Sequence, residues 1–413
     1  MRSTGGRAFW SFAGLALVAS LSLGAAADAP KPPRAASPEE LEQLRALGYV
    51  DFSAEAPPAA KSGVVARDPA RSAPGYSLYA SRPLRRAELL DPDGRAVRVW
   101  EAPGPGHWSH VRLLPGGDLL VVGSASEKPE GGRLADQARY LERRSFDGAV
   151  RWRLPIPVHH DVNVAPDGRL LALVSEDRVV PAVATDAEVR DEGVAIVTPE
   201  GVVQERKLLV PMLLARPDVF RVLQVKKRPL GERRLMDLLH ANSVEWMARP
   251  ELASRHPLYA LGNVLVSMRN QDAIAVFDWA KEEVVWTWGQ GEIRGPHCAS
   301  LLEGGNVLLF DNRLGEGWSR VVELDPVARR VVWEWRAPTP TDFYTASRGS
   351  AQRLPNGNTL VAESDRGHAF EVTPDGAVVW DWWNPHRDAA GRPATIIRMH
   401  RHPPSEIDPL LRR

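Results

Sequence analysis

From about residue 77 onward, short runs of Val, Leu and Ile alternate with turn residues, at lengths that predict β-strands rather than helices. Two patterns take turns along the chain. In the first, a turn precedes a β-rich run that ends in tryptophan. It appears as Asp93–Trp100 and Asp147–Trp152, as a degenerate copy at Glu200–Gln204 without the tryptophan, and again as Glu283–Trp288, Arg330–Trp335 and Asp375–Trp382. In the second, two strands flank a two-residue turn: Ser109–Val122, His160–Ala172, His297–Phe310 and Gly349–Val361, with a stretched copy from His240 to Val266. Their Asp-Gly, Asn-Gly and Gly-Gly turns favour the positive φ values of tight hairpins.

The step between copies is mostly 47 to 57 residues, with one of 80. A four-stranded unit at that period predicts a propeller blade. Six outer halves but only five inner halves leave the first blade short of inner strands. The run Thr395–His400 can supply one. The pattern therefore predicts an all-β fold, a six-bladed β-propeller with ring closure between N- and C-terminal strands. Closure removes the exposed strand edges that an open array would leave. The propeller is assigned to residues 76–403, with a helical insertion at 205–239, where Arg and Leu recur at helical spacing, and a C-terminal tail at 404–413.

The chain before the propeller reads differently. Residues 1–27 predict a signal peptide: Arg2 and Arg7, an apolar run from Phe9 to Leu23, then Ala25, Ala26 and Ala27 before Asp28. That run is short for a membrane span, which needs ~20 residues, and no later segment is apolar enough to cross. An exported protein is expected, periplasmic or extracellular, with no stable membrane span after cleavage. Residues 28–75, rich in Ala, Pro and Ser, read as a linker with one short helix starting at Ser37-Pro38-Glu39-Glu40.

Composition narrows the function classes. Lys+Arg and Asp+Glu each number 52, so no global charge excess points to nucleic acid. Cys298 is the only cysteine, which excludes an intrachain disulfide and a cysteine cluster for zinc. The tryptophans that recur with the repeat, such as Trp286, Trp333 and Trp380, are expected to pack blade against blade.

Histidines carry the candidate chemistry. Aligned on the turn glycines, His160, His240 and His297 fall in one register, each opening a His-x-x-[Ser/Asn] string on a strand that lines the central channel. Ser109 and Gly349 hold that position in the other two repeats, so a purely structural rule does not account for the histidines. Arg269 ends the second strand of the His240 repeat. A guanidinium facing a channel calls for an anion, unless a salt bridge to Asp272 or to another blade's acid satisfies it. Cys298 adjoins His297, but strand alternation turns it away.

These strings resemble the bacterial arylsulfotransferase family. The resemblance is carried by His240-Ala241-Asn242-Ser243-Val244, by Val266-Ser267-Met268-Arg269-Asn270-Gln271, by Gly295-Pro296-His297-Cys298-Ala299 with Asp311-Asn312, and by Ile397-Arg398-Met399-His400-Arg401-His402-Pro403. It covers roughly residues 100–403 and is densest over 240–382. It implies an exported six-bladed propeller that moves a sulfuryl group from a phenolic sulfate donor to a phenol acceptor, with no cofactor, metal or nucleotide. It implies that His297 becomes transiently sulfurylated, that His240 handles the phenol proton, that Arg269 holds the sulfuryl oxygens, and that His160 is a further site histidine. Asn270 departs from the family, which often has His after the arginine. The chain also has a linker where better-known members carry an additional β domain.

The residues themselves leave two other readings open. Three histidines could ligate zinc or copper with an open position, although Arg269 beside them would disfavour a dication. The other is a propeller that binds a ligand or partner without catalysis, since one fold hosts many functions.

Overall fold

The computed structural model describes residues 51–57, 61–126, 137–230 and 233–412. The expected signal peptide and the helix starting at Ser37 lie outside these residues. The described chain forms a six-bladed β-propeller. In blades II to VI the innermost strands are His107–Leu113, Val158–Val164, Ala241–Trp246, His297–Leu301 and Ser350–Arg353, each followed outward by sequential antiparallel strands. Blade I takes its innermost strand from the other end of the chain. Met399–His402 pairs with Tyr76–Ser81, outside which lie Arg86–Leu90 and Ala96–Glu101.

The predicted closure is therefore present, and a second strand reinforces it. Gly63–Arg67, read as linker, pairs antiparallel with Val378–Trp383 and becomes a fifth strand on blade VI. Val64 alternates inward there and packs beside Trp382 and Tyr79. The two ends of the propeller thus cross the same seam in opposite senses.

The tryptophans lock neighbouring blades by a repeated hydrogen bond. Each indole N–H donates to a carbonyl in the outer hairpin turn of the next blade: Trp100 to Phe146 (2.9 Å), Trp152 to Pro199 (2.9 Å), Trp286 to Pro326 (3.1 Å), Trp333 to Pro374 (3.1 Å) and Trp380 to Pro92 (3.1 Å). Blade III has the degenerate repeat and no such tryptophan. There Lys207 Nζ donates to the Trp279 carbonyl at 2.8 Å, and the Trp279 N–H donates back to Glu205 at 2.9 Å. A charged donor replaces the indole, so the belt is continuous around the ring.

Residues 205–239 differ from the expected helical insertion. Only Leu209–Leu214 is helical, burying Leu209, Val210, Met212 and Leu213 between blades III and IV. Pro217 and Pro229 interrupt any longer helix. The remainder includes the strands Arg228–Leu230 and Arg233–Asp237, and the second lies parallel to Glu188–Arg190. This enlarges blade III, whose Leu170–Val180 and Ala184–Val197 hairpin is much longer than its counterparts. The tail also has structure. Pro404–Leu411 is a helix whose Ile407 and Leu410 join the apolar core of blades I and II.

One polar residue per blade forms a ring around the channel. Opposite the third residue after each turn glycine stand His400, Arg112, Asn163, Glu245, Ser300 and Gln352, from blades I to VI in order. All six are partly exposed, while the next inner-strand residues, such as Val111, Val244 and Met399, are buried. Alternation along each strand explains both halves of the pattern.

Candidate functional site

The upper end of the channel, where the inner strands begin, gathers all four residues singled out from the sequence. The His160 and His240 rings lie 4.9 Å apart between centroids. His297 and Arg269 are each only 5% exposed, and the Arg269 side chain runs past Gly295, two residues before His297. The His297 imidazole feels both the Arg269 charge and the His240 ring.

The ladders refine the expected register. His160 and His297 stand three residues before the ring positions Asn163 and Ser300, but His240 stands five before Glu245. The inner strands of blades III, IV and V each carry a register shift at this end, and His160, His240 and Cys298 adopt left-handed backbone with φ of 56°, 49° and 52°. A bulge bends its strand and re-aims a side chain, which is how residues from different levels converge. Such conformations cost a non-glycine residue about 1–2 kcal/mol each, and they cluster at functional sites.

His297 is held in one tautomer. Its Nδ1 lies 2.7 Å from Asn312 Oδ1 and 3.0 Å from the Gly295 carbonyl. Asn312 cannot present its amide nitrogen to the ring, because that nitrogen donates to the Thr345 carbonyl at 2.8 Å and the Arg348 carbonyl at 3.0 Å. Two acceptors at Nδ1 require the proton there. The lone pair is left on Nε2, where the Arg348 backbone N–H meets it at 3.2 Å. Burial, and then the Arg269 charge, holds His297 well below the ordinary imidazole range, so the ring is neutral near pH 7.

His240 is oriented by Asp237, whose Oδ2 lies 2.7 Å from Nδ1. Asp237 ends the strand Arg233–Asp237, so the inserted segment delivers it. Burial opposes charge on Asp237, but the His240 ring and the Arg190 and Arg228 guanidiniums hold its carboxyl well below the usual range. Glu192 behaves in the opposite way. Burial and then Asp237 push it well above the carboxylate range, and its Oε2 accepts the Ala241 N–H at 3.0 Å. His159, absent from the sequence reading, meets His160 edge-on with centroids 5.1 Å apart.

Arg269 forms no ion pair with a described residue; Asp272 instead accepts the Gly295 N–H at 2.8 Å. Its Nη1 donates to Asn270 Oδ1 at 2.7 Å, and its Nε is buried without a partner. Asn270 in turn donates to the Asp237 carbonyl at 2.6 Å, tying the arginine to the segment that orients His240.

Below this tier the channel is plugged. Arg398 donates to Asp161 at 3.0 Å and to the Asn242 carbonyl at 2.5 Å, and His110 Nε2 lies 3.3 Å from Asp161. Burial pushes the Cys298 thiol up to about 11, so it is a thiol rather than a thiolate at neutral pH. Among the described residues, no group of three His, Cys, Asp or Glu side chains is placed to hold a metal ion.

The arylsulfotransferase (ASST) family profile matches residues 156–385, more than half of the chain. The chain belongs to the arylsulfotransferase family. That span contains His160, His240, Arg269 and His297, and it supports a sulfotransferase-like function on small molecules. No curated protein matches the chain. Solved structures give distant likenesses. A Bacteroides caccae protein of unknown function is 14% identical at a TM-score of 0.49, covering 79% of this chain and 98% of its own. A streptogramin B lyase is 10% identical at 0.43, covering 81% and 87%. The β-propeller domain of Cps50 (Swd1) from Myceliophteria thermophila is 12% identical at 0.43, covering 79% and 96%. At these values they bear on no functional argument.

Proposed function

We propose that the upper tier transfers a sulfuryl group from a phenolic sulfate ester to a phenol through a sulfohistidine at His297. The observation that carries this reading is the locked tautomer. A neutral, buried imidazole keeps its proton on Nδ1 and its lone pair on Nε2, beside a guanidinium that lacks an ion pair.

In the first half-reaction Nε2 of His297 attacks sulfur and displaces its weak contact with the Arg348 N–H. The N–S bond forms, the S–O(aryl) bond breaks, and the electron pair leaves on the aryl oxygen. The Nδ1 proton stays in place, and Asn312 and Gly295 accept from the imidazolium that results. Arg269 faces the sulfuryl oxygens, whose charge it stabilises as cationic groups do in phosphoryl transfer. His240, oriented by Asp237, gives a proton to the leaving phenolate. The second half-reaction reverses these steps with the acceptor phenol, and His240 takes its proton. His160 packs against His240 and limits how that ring turns.

The metal-ligand reading is less favoured, because Arg269 adds a positive charge to the same space and the histidines are not arranged as a ligand set. Export is a part of this proposal that rests on residues 1–27 alone. Among the described residues no helix is long and apolar enough to cross a membrane.

The test is release of 4-nitrophenolate from 4-nitrophenyl sulfate with added phenol, in wild type and His297→Ala. Phenol-dependent release with ping-pong kinetics, absent in the variant, supports sulfohistidine chemistry. Release that persists in His297→Ala, or no release over a panel of phenols, refutes it.

A further inference from the structure

The opposite end of the channel holds a second cluster of cationic and imidazole side chains that sulfuryl transfer does not use. A recess of about 770 Å³ opens there between blades I, II and VI, lined by Arg112, Gln352 and His400 of the polar ring and by His402 beyond it. That volume lies in the range of small-molecule sites. The Arg398–Asp161 layer separates it from the upper tier, and three strand residues between the two levels amount to about 10 Å.

Two donors of this recess, Arg112 and His400, lack partners among the described residues. Neither the Arg112 nor the His400 side chain makes a hydrogen bond or ion pair with a described residue, and Arg112 Nε, His400 Nε2 and His402 Nε2 are buried. His400 is held well below the ordinary imidazole range by burial first, then by Arg112 and His110. The neighbouring arginines are engaged: Arg353 with Glu323 at 2.7 Å, and Arg401 with Glu371 at 3.3 Å.

One acid, Glu406, lines this recess, while Glu245 stands on the polar ring within electrostatic reach of Arg112. Glu406 lies 3.3 Å from His402 Nδ1. Glu245, on the ring, spends one oxygen on the Leu301 N–H at 3.0 Å, and burial pushes it up to about 7. Much of the remaining wall is apolar, including Pro74, Pro115, Pro355 and Pro403, with Asn356 as a further polar lining residue. A guanidinium and an imidazole left without acceptors in a proline-rimmed recess call for a ligand with an anionic head and an apolar body.

We propose that this lower mouth binds a small organic oxyanion, a carboxylate, sulfate or sulfonate on a ring-sized apolar group. Its head meets Arg112 and His400, and its body lies on the proline rim. The site is independent of the chemistry proposed above.

Calorimetric titration of the full protein with benzenesulfonate, which has no transferable sulfuryl ester, tests this. Wild type is expected to show a binding class that Arg112→Gln and His400→Gln each weaken by about tenfold or more, and that Arg269→Gln leaves intact. Circular-dichroism melts of the variants separate lost binding from lost fold, and agreement of two separate substitutions guards against either misfolding. No saturable binding, or an isotherm that both Arg112→Gln and His400→Gln leave unchanged, overturns the site. Weakening by Arg269→Gln alone overturns it while supporting an anion at the upper tier. Weakening by Arg112→Gln and His400→Gln with Arg269→Gln unchanged upholds the lower site and leaves the upper reading to its own assay. Inorganic sulfate is expected to bind more weakly than benzenesulfonate, and equal affinity would overturn the organic half of the assignment.

Discussion

Replacing Asn312 by leucine keeps the side-chain volume and removes the amide that fixes the His297 tautomer. The Nδ1 proton loses its 2.7 Å acceptor but keeps the Gly295 carbonyl at 3.0 Å. A buried hydrogen bond of this kind contributes about 1–3 kcal/mol. If that difference falls on the reactive tautomer, sulfurylation slows by about 10- to 100-fold. The loss stays well short of the ~10⁴-fold seen when a catalytic histidine is held in the wrong tautomer, because Gly295 still prefers the correct one. Stability falls as well. The Arg348 carbonyl loses its Asn312 partner, while the Thr345 carbonyl keeps Ser319 Oγ at 3.5 Å. The assay is the pre-steady-state burst of 4-nitrophenolate at saturating 4-nitrophenyl sulfate, with a thermal melt alongside. An unchanged burst rate would show that Asn312 does not control the reactive nitrogen. A loss as complete as that of His297→Ala would show that Asn312 does more than hold a proton in place.

Other expectations follow from the packing. Trp380→Phe removes the indole donor to Pro92 across the closing seam; a loss of about 1 kcal/mol lowers Tm by roughly 1–2 °C in a domain of this size, and an unchanged Tm would mean the belt hydrogen bond is idle. Gly201→Ala should destabilise more than Gly116→Ala in denaturant melts: both have φ near +90°, but a Cβ at 201 would stand 2.7 Å from the Trp152 ring and one at 116 meets nothing within 4 Å. Equal losses would contradict the overpacking argument. His368 gives a pH signature. Burial disfavours its charge, but hydrogen bonds to Asp381 (2.9 Å) and Glu363 (2.8 Å) outweigh burial and raise its pKa. A raised folded pKa means its stabilisation is full below about 6.5 and fades as pH climbs through the folded value. Melts of wild type and His368→Gln should therefore converge on raising the pH from 6.5 upward, and a gap that widens instead would reverse the sign of the assignment.

The legible parts of this molecule are those that repeat. The turn glycines and the tryptophan runs announce blades, because each blade solves the same packing problem with the same residues. The missing inner half of the first blade announced closure by residues 395–400, and the strand that closes it lies slightly later, at Met399–His402. What stayed hidden occurs once. Lys207 filling the tryptophan belt gives no periodic signal, and neither does Gly63–Arg67, which lies in a stretch whose Ala and Pro content reads as linker. At the site, His160 and His297 stood in a shared register, yet the two-residue offset of His240 could not be read, since bulges shift the ladder without changing composition. Asp237 comes from an insertion whose leucine spacing suggested helix, and its carboxylate reaches the His240 ring across only three residues, in a turn that the leucine spacing did not announce. Asn312 lay within a quoted string, but its role depends on carbonyls at 345 and 348. The polar ring was present as one residue per repeat. It went unnoticed because its members differ in type and share only a position.

Closure by the chain's far end also governs the order in which this protein can be made. Tyr76–Ser81 emerges early in synthesis and waits, with an unpaired edge, until Met399–His402 follows the five other blades. Such an edge invites pairing with other chains for as long as it stays open. The late strand also carries His400, and the residue before the strand is Arg398, which closes the middle of the channel. Ring, plug and lower recess are therefore completed together when this one strand docks, and before it docks the inner edge of blade I is open and the channel unplugged.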